Sequence, residues 1–285
     1  MRSLHLLRVT VLFAIAVVAA VQGVVSAQDQ PASQKVDLPV VISYSLLNDH
    51  LTLHEPVVLI FTAANKTRYP IQLDLGQDRK EGFLFAVIDP NGTRHPLPPL
   101  IREGISPPGT FSIARGRTYS QKLVLNQWYS FSVPGRYELE GHLARPIVIG
   151  DGIGQQTDQG SRITIDIGPR DEAALTETCE SLVKEIVGPD DQNAANAALA
   201  LSYVDDPLAE PYLRSVLFKR SKLEVIILKG LGRVGDMRSV GDLAEAAASD
   251  DDNVKGWARG ALYDIRQRTN DPQVREEINR ILANP

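Results

Sequence analysis

The hydrophobic pattern of the chain changes its period once, near residues 168–171. Before this point, short apolar runs alternate with polar residues and are separated by turn-forming residues, which is typical of β-strands. After it, apolar positions recur every three or four residues, which predicts amphipathic helices. The chain is therefore predicted to contain a β-rich region over residues 36–168 and a helical region over residues 171–285.

Seven segments of the first region carry the strand pattern, and none of the connections between them has a helical pattern. Short strands at this spacing predict an antiparallel β-sandwich. Two connections, residues 96–112 and 147–161, have the length of loops that are functional or mobile. The predicted strands are 40–46, 57–63, 71–75, 83–88, 119–125, 137–143 and 162–167.

Seven helices are predicted in the second region, and several of them open with an aspartate. Asp206-Pro207 and Asp271-Pro272 place Asp at the N-cap and Pro at the first helical position, which are favoured places for both residues. The predicted helices are 171–187, 191–204, 206–217, 222–234, 236–248, 250–268 and 271–282.

Part of the helical region repeats itself at a fixed interval of 30 residues. A period of this size is the signature of stacked helical hairpins, which form an α-solenoid and usually present a surface rather than a catalytic pocket. The matching pairs are Leu201 with Leu231, Val204 with Val234, Asp206 with Asp236, and Leu213 with Leu243.

The repeat resembles the short HEAT repeats of bacterial proteins that are named after phycobilisome lyases. Ala197-Ala-Leu-Ala-Leu and Asp205-Asp-Pro carry the resemblance in one copy, and Leu228-Lys-Gly-Leu-Gly with Gly235-Asp carries it in the next. The resemblance implies an α-solenoid of HEAT-like helical hairpins over residues 171–285.

The β-rich region resembles bacterial immunoglobulin-like domains. The resemblance is carried by the segment from Leu53-His-Glu-Pro to Phe61 and by Leu125-Asn-Gln-Trp-Tyr-Ser-Phe, followed by Pro134-Gly-Arg-Tyr. Some such domains are described as proteinase-inhibitor-like, so the resemblance implies the immunoglobulin-like fold more than one activity.

The first 27 residues have the pattern of a secretory signal peptide. Arg2 and Arg8 precede an apolar run over residues 9–21, and Val25 and Ala27 are the small residues of a cleavage site. The alternative is a retained anchor, for which the run is short. Residues 28–35 are polar and predict a flexible leader. We therefore expect an exported protein, periplasmic or extracellular, with no stable membrane insertion after cleavage.

The charge of the helical region argues against anionic partners. Residues 35–167 carry 13 basic and 13 acidic side chains, whereas residues 170–285 carry 15 basic and 21 acidic ones. An acidic helical region is a poor match for nucleic acid or for an anionic membrane surface. Cys179 is the only cysteine, which excludes an intramolecular disulfide. It shares a helical stripe with Leu175, Leu182 and Ile186, which predicts a small core residue.

Gly230-Leu-Gly-Arg-Val-Gly235 matches the spacing of a dinucleotide-binding loop. This interpretation is rejected because the same register aligns with Ala200–Asp205, which has no glycine and is predicted to be helical. No further strand follows to complete a parallel βαβ unit. Gly230 and Gly232 are instead predicted to allow close helix packing, and Gly235 to end the helix in a left-handed conformation.

No cofactor, metal or catalytic site is predicted. His50 and His54 lie four residues apart beside acidic residues, which on a helix could hold a metal. Here they alternate with Leu51 and Leu53 in a turn and strand, so both are expected on the outer surface. No nucleophile motif is found, and the protein is not expected to be an enzyme.

The favoured function is non-enzymatic binding of another protein, as a scaffold, through the surface of the helical repeats. The alternative is a proteinase inhibitor acting through a loop of the β-sandwich, residues 96–112. In the first interpretation, equivalent polar positions of two neighbouring hairpins line a shared concave surface. The candidate partner-binding residues are Glu210, Tyr212, Arg214, Arg238, Asp242 and Glu245.

Overall fold

A computed structural model describes residues 40–100 and 109–283, in which a β-rich region precedes seven α-helices. Both regions belong to one compact unit, Leu38–Pro285. The expected signal peptide and leader, residues 1–35, lie outside the described residues, as do residues 101–108 of the first long connection. Among the helices described, none is both long and apolar enough to cross a bilayer.

The predicted strands are confirmed within about two residues at each end, and five short strands are added. Two of the additions, β10 and β11, form a hairpin inside the connection 147–161, which was expected to be a loop. The strands are β1 Val40–Leu46, β2 Leu51–Thr52, β3 Val58–Asn65, β4 Ile71–Asp74, β5 Phe83–Ile88, β6 Arg94–Leu97, β7 Thr110–Ile113, β8 Thr118–Val124, β9 Gly135–Leu143, β10 Ile147–Ile149, β11 Gly154–Gln156 and β12 Ser161–Gly168.

The described strands form three sheets, with the orders β1-β3-β8, β11-β10-β4-β7 and β2-β12-β9-β5-β6. Pairing is antiparallel, as expected, except between β12 and β2. There Ile167 and Gly168 pair in parallel with Leu51 and Thr52. This short pairing holds the segment after β1 beside the point at which the chain leaves the β-rich region.

Aromatic side chains join the sheets into one core. Phe61 of β3 packs edge-on against Phe83 of β5 with ring centroids 4.9 Å apart, and Phe83 stacks on Phe85 at 5.7 Å. Tyr44 of β1 lies 5.3 Å from Phe61. These contacts link the β1-β3-β8 sheet to the sheet that contains β5, and they add to the stabilisation from apolar burial.

The seven predicted helices are confirmed, with aspartate caps at most of their starts. The side chains of Asp171, Asp190, Asp206, Asp236 and Asp251 each accept a hydrogen bond from a backbone N–H of the first turn. The helices are α1 Glu172–Val187, α2 Asp191–Ser202, α3 Glu210–Val216, α4 Glu224–Val234, α5 Met237–Ala247, α6 Asp252–Arg268 and α7 Pro272–Ala283, with a single 3₁₀ turn before each of α3 and α4.

Alternate helices contact one another in two rows. In one row α2 contacts α4 and α4 contacts α6, and in the other α1, α3, α5 and α7 follow in the same way. The shared core includes Leu201, Leu231, Leu213 and Leu243, so all four repeated leucines are buried. Cys179 is fully buried in this core, as predicted, and burial raises the pKa of its thiol to about 12.

The glycines of the rejected dinucleotide motif lie inside and at the end of α4. A Cβ at Gly230 would come within 2.9 Å of Ser202 Cα and of Leu213 Cδ2, so the prediction of close helix packing is confirmed. The prediction for Gly235 is wrong, because its φ of −62° and ψ of 155° are extended rather than left-handed. Its backbone N–H nevertheless makes the last hydrogen bond of the helix, to Leu231 O at 2.7 Å.

Hydrogen bonds fix the helical region to the β-rich region around Thr52 and Glu55. Thr52 N–H donates to Glu55 Oε2 at 2.7 Å, and Thr178 of α1 donates its hydroxyl to Glu55 Oε1. Asp171 N–H donates to Thr52 Oγ1 at 2.7 Å. Both Thr52 and Glu55 are buried, so their polar groups depend on these partners.

A second set of contacts joins the same two regions at Asp206. Arg170 donates from Nε to Asp206 Oδ2 at 2.6 Å and from Nη2 to Oδ1 at 3.2 Å, and Leu208 N–H donates to Oδ1 at 3.0 Å. Asp205 N–H donates to His54 O at 3.1 Å. The bidentate pair with Arg170 lowers the pKa of the Asp206 carboxyl below its usual value, against the opposing effect of burial.

Gly230→Ala is expected to destabilise the protein by about 1–3 kcal/mol, because the added methyl group must displace backbone of α2. Gly260→Ala in α6 is the matched control, since a Cβ there meets nothing within 4 Å. The control should be neutral or stabilising by up to about 1 kcal/mol from helix propensity. Urea unfolding of both variants measures the difference, and equal free energies of unfolding would contradict the close approach.

Asp206→Asn is expected to cost about 1.5–3 kcal/mol at neutral pH, because it keeps the helix cap but loses the charged pair with Arg170. Since folding lowers the pKa of Asp206, its contribution is present above the ordinary carboxyl pKa of about 3.9 and is lost as pH falls below it. The gap in stability between wild type and variant should therefore narrow from pH 6 to pH 3. Asp251→Asn, at the start of α6, should cost less than about 0.5 kcal/mol at neutral pH.

Candidate functional site

The six residues predicted to bind a partner lie on two neighbouring helices. Glu210, Tyr212 and Arg214 are on α3, and the other three are on α5. The two helices contact each other, as the repeat predicts. Four of the six residues, Glu210, Arg214, Arg238 and Asp242, join in one set of ion pairs that we call the α3–α5 network.

Glu210 is the centre of the α3–α5 network and is 1% exposed, although it was expected on the surface. Its Oε1 accepts a hydrogen bond from Ser239 Oγ at 2.8 Å and lies 3.6 Å from Arg214 Nη1. Its Oε2 lies 3.3 Å from Arg238 Nη2. A carboxylate that is removed from water in this way requires nearby cations, so Glu210 positions two arginines rather than contacting a partner.

The two arginines are each held by a second carboxylate. Arg214 Nε bonds to Asp242, and Arg238 Nη2 lies 3.0 Å from Asp236 Oδ2. These hydrogen bonds raise the pKa of both guanidinium groups, which remain charged. Glu245 is exposed and belongs to neither set of pairs, so the structure separates it from the other predicted residues.

Tyr212 lies in a groove of about 600 Å³ beside the α3–α5 network, which we call the Tyr212 groove. The ring is half-buried against the helical core. The groove combines apolar side chains with two basic and two acidic ones. Burial raises the pKa of the Tyr212 hydroxyl. Its lining includes Arg170, Glu172, Pro207, Leu208, Pro211 and Arg238.

A larger cleft of about 860 Å³ lies between the β-rich region and the other row of helices. Residues 119–122 of β8 and residues 78–80 line its β side, and residues of α2 and α4 line its helical side. We call it the β8 cleft. The sequence did not predict it, because its walls come from four segments that are far apart along the chain.

The β8 cleft has an excess of positive charge. Its lining holds five basic side chains, Arg79, Lys80, Lys122, Lys229 and Arg233, against one acidic side chain, Asp78. Three of these cations form ion pairs at the outer limit of the usual distance. Lys80 lies 3.9 Å from Asp78, Lys122 lies 4.0 Å from Glu185 and Arg233 lies 3.8 Å from Asp205. The cleft is thus a basic site in a chain of net charge −5.

Aromatic rings support two of the cations on the helical side of the β8 cleft. Arg233 lies over the ring of Tyr203 at 4.4 Å, and Lys229 Nζ lies 3.8 Å from the centroid of Trp257. Trp257 is itself 45% exposed. Cation–π contacts hold the long side chains in place without neutralising their charge.

The backbone of Asp78 and Arg79 is strained at the wall of the β8 cleft. Both residues have φ of 53°, in the left-handed region that residues other than glycine rarely adopt. Gln121 of β8 donates to Arg79 O at 3.1 Å, and the Arg79 guanidinium lies over Phe111 at 4.8 Å. Arg79 Nε is buried and has no hydrogen-bond partner among the described residues. Strain of this kind concentrates at functional sites.

The two histidines considered as metal ligands differ in their exposure. His50 is exposed, as predicted, but the prediction for His54 is wrong. His54 is half-buried with φ of 77°, and its carbonyl accepts from Asp205, because the strand ends at Thr52 and the chain turns toward the helices. Within residues 40–100 and 109–283, no group of three or more His, Cys, Asp or Glu residues could hold a metal ion.

Comparison with known proteins yields only distant structural similarity. No protein-family model and no curated protein sequence matches the chain. A putative ApaA protein from Bordetella pertussis is 14% identical over 45% of this chain and 91% of its own, with a TM-score of 0.27. The sporulation control protein Spo0M from Bacillus subtilis is 14% identical over 51% and 55% of the two chains, with a TM-score of 0.24. Similarity at these scores supports no conclusion about fold or function.

Glu210→Ala is expected to destabilise the protein by about 3–5 kcal/mol, because two arginines lose the buried carboxylate that holds them. Glu245→Ala on the exposed side of α5 is the control and should change stability by less than about 0.5 kcal/mol. Thermal or urea unfolding measures both. A Glu210→Ala variant as stable as the control would show that the α3–α5 network does not hold α3 against α5.

Proposed function

We propose that the β-rich region is an immunoglobulin-like sandwich and that the helices form a short HEAT-like α-solenoid. Two observations support this. Tyr137, near the start of β9, donates its hydroxyl to Val133 O at 2.7 Å, which is the geometry of the tyrosine corner of immunoglobulin-like domains. The helices contact one another in two alternating rows, and leucines 30 positions apart are buried in the same core, as expected of stacked hairpins.

We infer that the protein is a non-enzymatic binding or scaffold protein that contacts another protein through α3, α5 and the Tyr212 groove. The composition of the groove carries this proposal. Tyrosine and arginine are enriched among the few residues that supply most of the binding energy in protein interfaces, and Tyr212, Arg170 and Arg238 all line the groove. The apolar floor of Pro207, Leu208 and Pro211 offers a place for a side chain of the partner.

The arginines around the groove are held in place before a partner arrives. Arg170 is bound to Asp206, and Arg238 is bound to Asp236 and Glu210. Side chains that are already ordered lose less conformational entropy when a complex forms. The network therefore favours recognition of a defined protein surface. With the predicted signal peptide, we place this partner in the periplasm or outside the cell.

The proposal is tested with the full chain carrying a photo-crosslinking amino acid in place of Glu172, which is exposed at the edge of the Tyr212 groove. In an envelope extract of the native host, this position should crosslink to a discrete protein. The control carries the same amino acid in place of the exposed Glu276 on α7 and should not yield that product.

Variants of single residues then test whether the crosslinked product depends on the Tyr212 groove. Tyr212→Ala and Arg170→Gln should each lower the yield of the crosslinked product about tenfold or more, because interface residues of these types often contribute about 2 kcal/mol. Urea unfolding of both variants checks that each keeps its fold. Arg280→Glu, a charge reversal on exposed α7, should leave the yield unchanged. A product that is equally abundant with all three variants would refute binding at the Tyr212 groove.

A further inference from the structure

Strand β8 is at the edge of its sheet and borders the β8 cleft. In the described part of the chain its sheet has the order β1-β3-β8, so β8 pairs with β3 on one side only. Four consecutive residues of the strand, 119–122, line the cleft. An edge strand offers a row of backbone donors and acceptors to any extended segment that can reach it.

The register of β8 shows which of its residues offer these groups. Asn65 N–H donates to Arg117 O at 3.0 Å, and Leu125 N–H donates to Val57 O at 2.8 Å. In an antiparallel ladder the bonded pairs alternate, so Tyr119, Gln121 and Leu123 direct their backbone groups toward β3. Ser120 and Lys122 therefore direct their N–H and C=O groups away from β3, toward the open edge.

Positive charge is available on both sides of this edge. Arg79 and Lys80 come from the β side of the cleft, while Lys229 and Arg233 come from α4. Successive side chains of a strand point to opposite faces. A strand laid along β8 would therefore place acidic side chains in a cleft that both groups of cations line.

We propose that the β8 cleft binds an extended acidic peptide segment of a protein partner, which adds to the sheet as a strand beside β8. The backbone of Ser120 and Lys122 pairs with the segment, and the surrounding cations select glutamate or aspartate side chains. This mode of recognition takes its affinity from main-chain hydrogen bonds and its specificity from side chains. Asp78 and Arg79, whose backbone is strained, line the cleft beside β8.

This inference rests on the proposed function only in taking a protein as the partner. It uses no residue of the Tyr212 groove, which lies among α3, α5 and the segment before α1. Tyr212→Ala and Arg170→Gln are therefore expected to leave binding at the β8 cleft unchanged. If these variants lose their crosslinks and still bind an acidic peptide, or the reverse, the two proposals are separated.

The test uses the full chain and a fluorescently labelled octapeptide with four central glutamates between Thr-Val and Val-Thr. Fluorescence anisotropy should show saturable binding that weakens as salt is raised, since exposed charges are screened. A peptide with glutamines in place of the four glutamates should bind about tenfold or more weakly. Two further peptides are N-methylated at alternate residues, one for each of the two possible registers. The one whose methylated nitrogens face β8 should also bind about tenfold more weakly, because it cannot pair fully with a strand.

Protein variants locate the contact. Ser120→Pro removes an N–H that faces the open edge and keeps the pairing with β3, so it should weaken the peptide about tenfold. Thr118→Pro is the matched control, because Thr118 faces the same edge but lies outside the cleft lining. It should change the affinity by less than about twofold. Lys229→Glu should abolish binding, whereas Lys222→Glu, on an 87% exposed side chain outside the cleft, should not.

Three results would overturn the proposal. The first is the absence of saturable binding by the glutamate peptide. The second is an affinity that is the same for the glutamate peptide and both of its N-methylated forms and is unchanged by Ser120→Pro. That result would leave only a contact between charges. The third is full competition by inorganic phosphate, bound with the same dependence on Lys229, which would assign the cleft to a small anion. Urea unfolding of Ser120→Pro checks its fold, and the N-methylated peptides keep the test decisive if that variant is unstable.

Discussion

The structure depends on the buried polar contacts that join the two regions at Thr52, Glu55 and Asp206. Each of these side chains is removed from water, so each requires its partner from the other region or from the connecting segment. The carboxylate of Asp206, which pairs with Arg170, also caps the turn that leads into α3. These contacts fix α1 and the turn before α3 to the β-rich region.

The helical region was predictable almost residue by residue because its signals are local. Aspartate caps, proline at the first position and a period of 3.6 residues act within one or two turns of the chain. The 30-residue repeat added the stacking partners, since Leu201 and Leu231 must bury the same face. The error at Gly235 has a similar origin. Both a left-handed and an extended residue can end a helix, and the glycine itself does not distinguish them.

The candidate sites were harder to predict because they depend on long-range packing. Glu210 is a charged residue of the kind expected on the surface of α3. In the structure it is buried, with Ser239 and Arg238 of α5 against its carboxylate. The β8 cleft joins residues about 40 to 150 positions apart in the chain, and no periodicity connects them. The one local trace was Lys229 and Arg233, two cations at neighbouring places on one helix face within an acidic region.

The two surfaces use opposite solutions to the same electrostatic problem. In the α3–α5 network, carboxylates within one hydrogen-bond length neutralise Arg214 and Arg238, so the arginines are ordered and their field is short-ranged. In the β8 cleft, carboxylates pair with Lys80, Lys122 and Arg233 at 3.8–4.0 Å, and aromatic rings support Lys229 and Arg233. Rings hold a cation without cancelling its charge, and the lining of the cleft keeps an excess of cations, with five basic side chains against one acidic one. The first surface is therefore suited to shape-specific contact, and the second to attracting an anionic segment before it pairs with the strand edge.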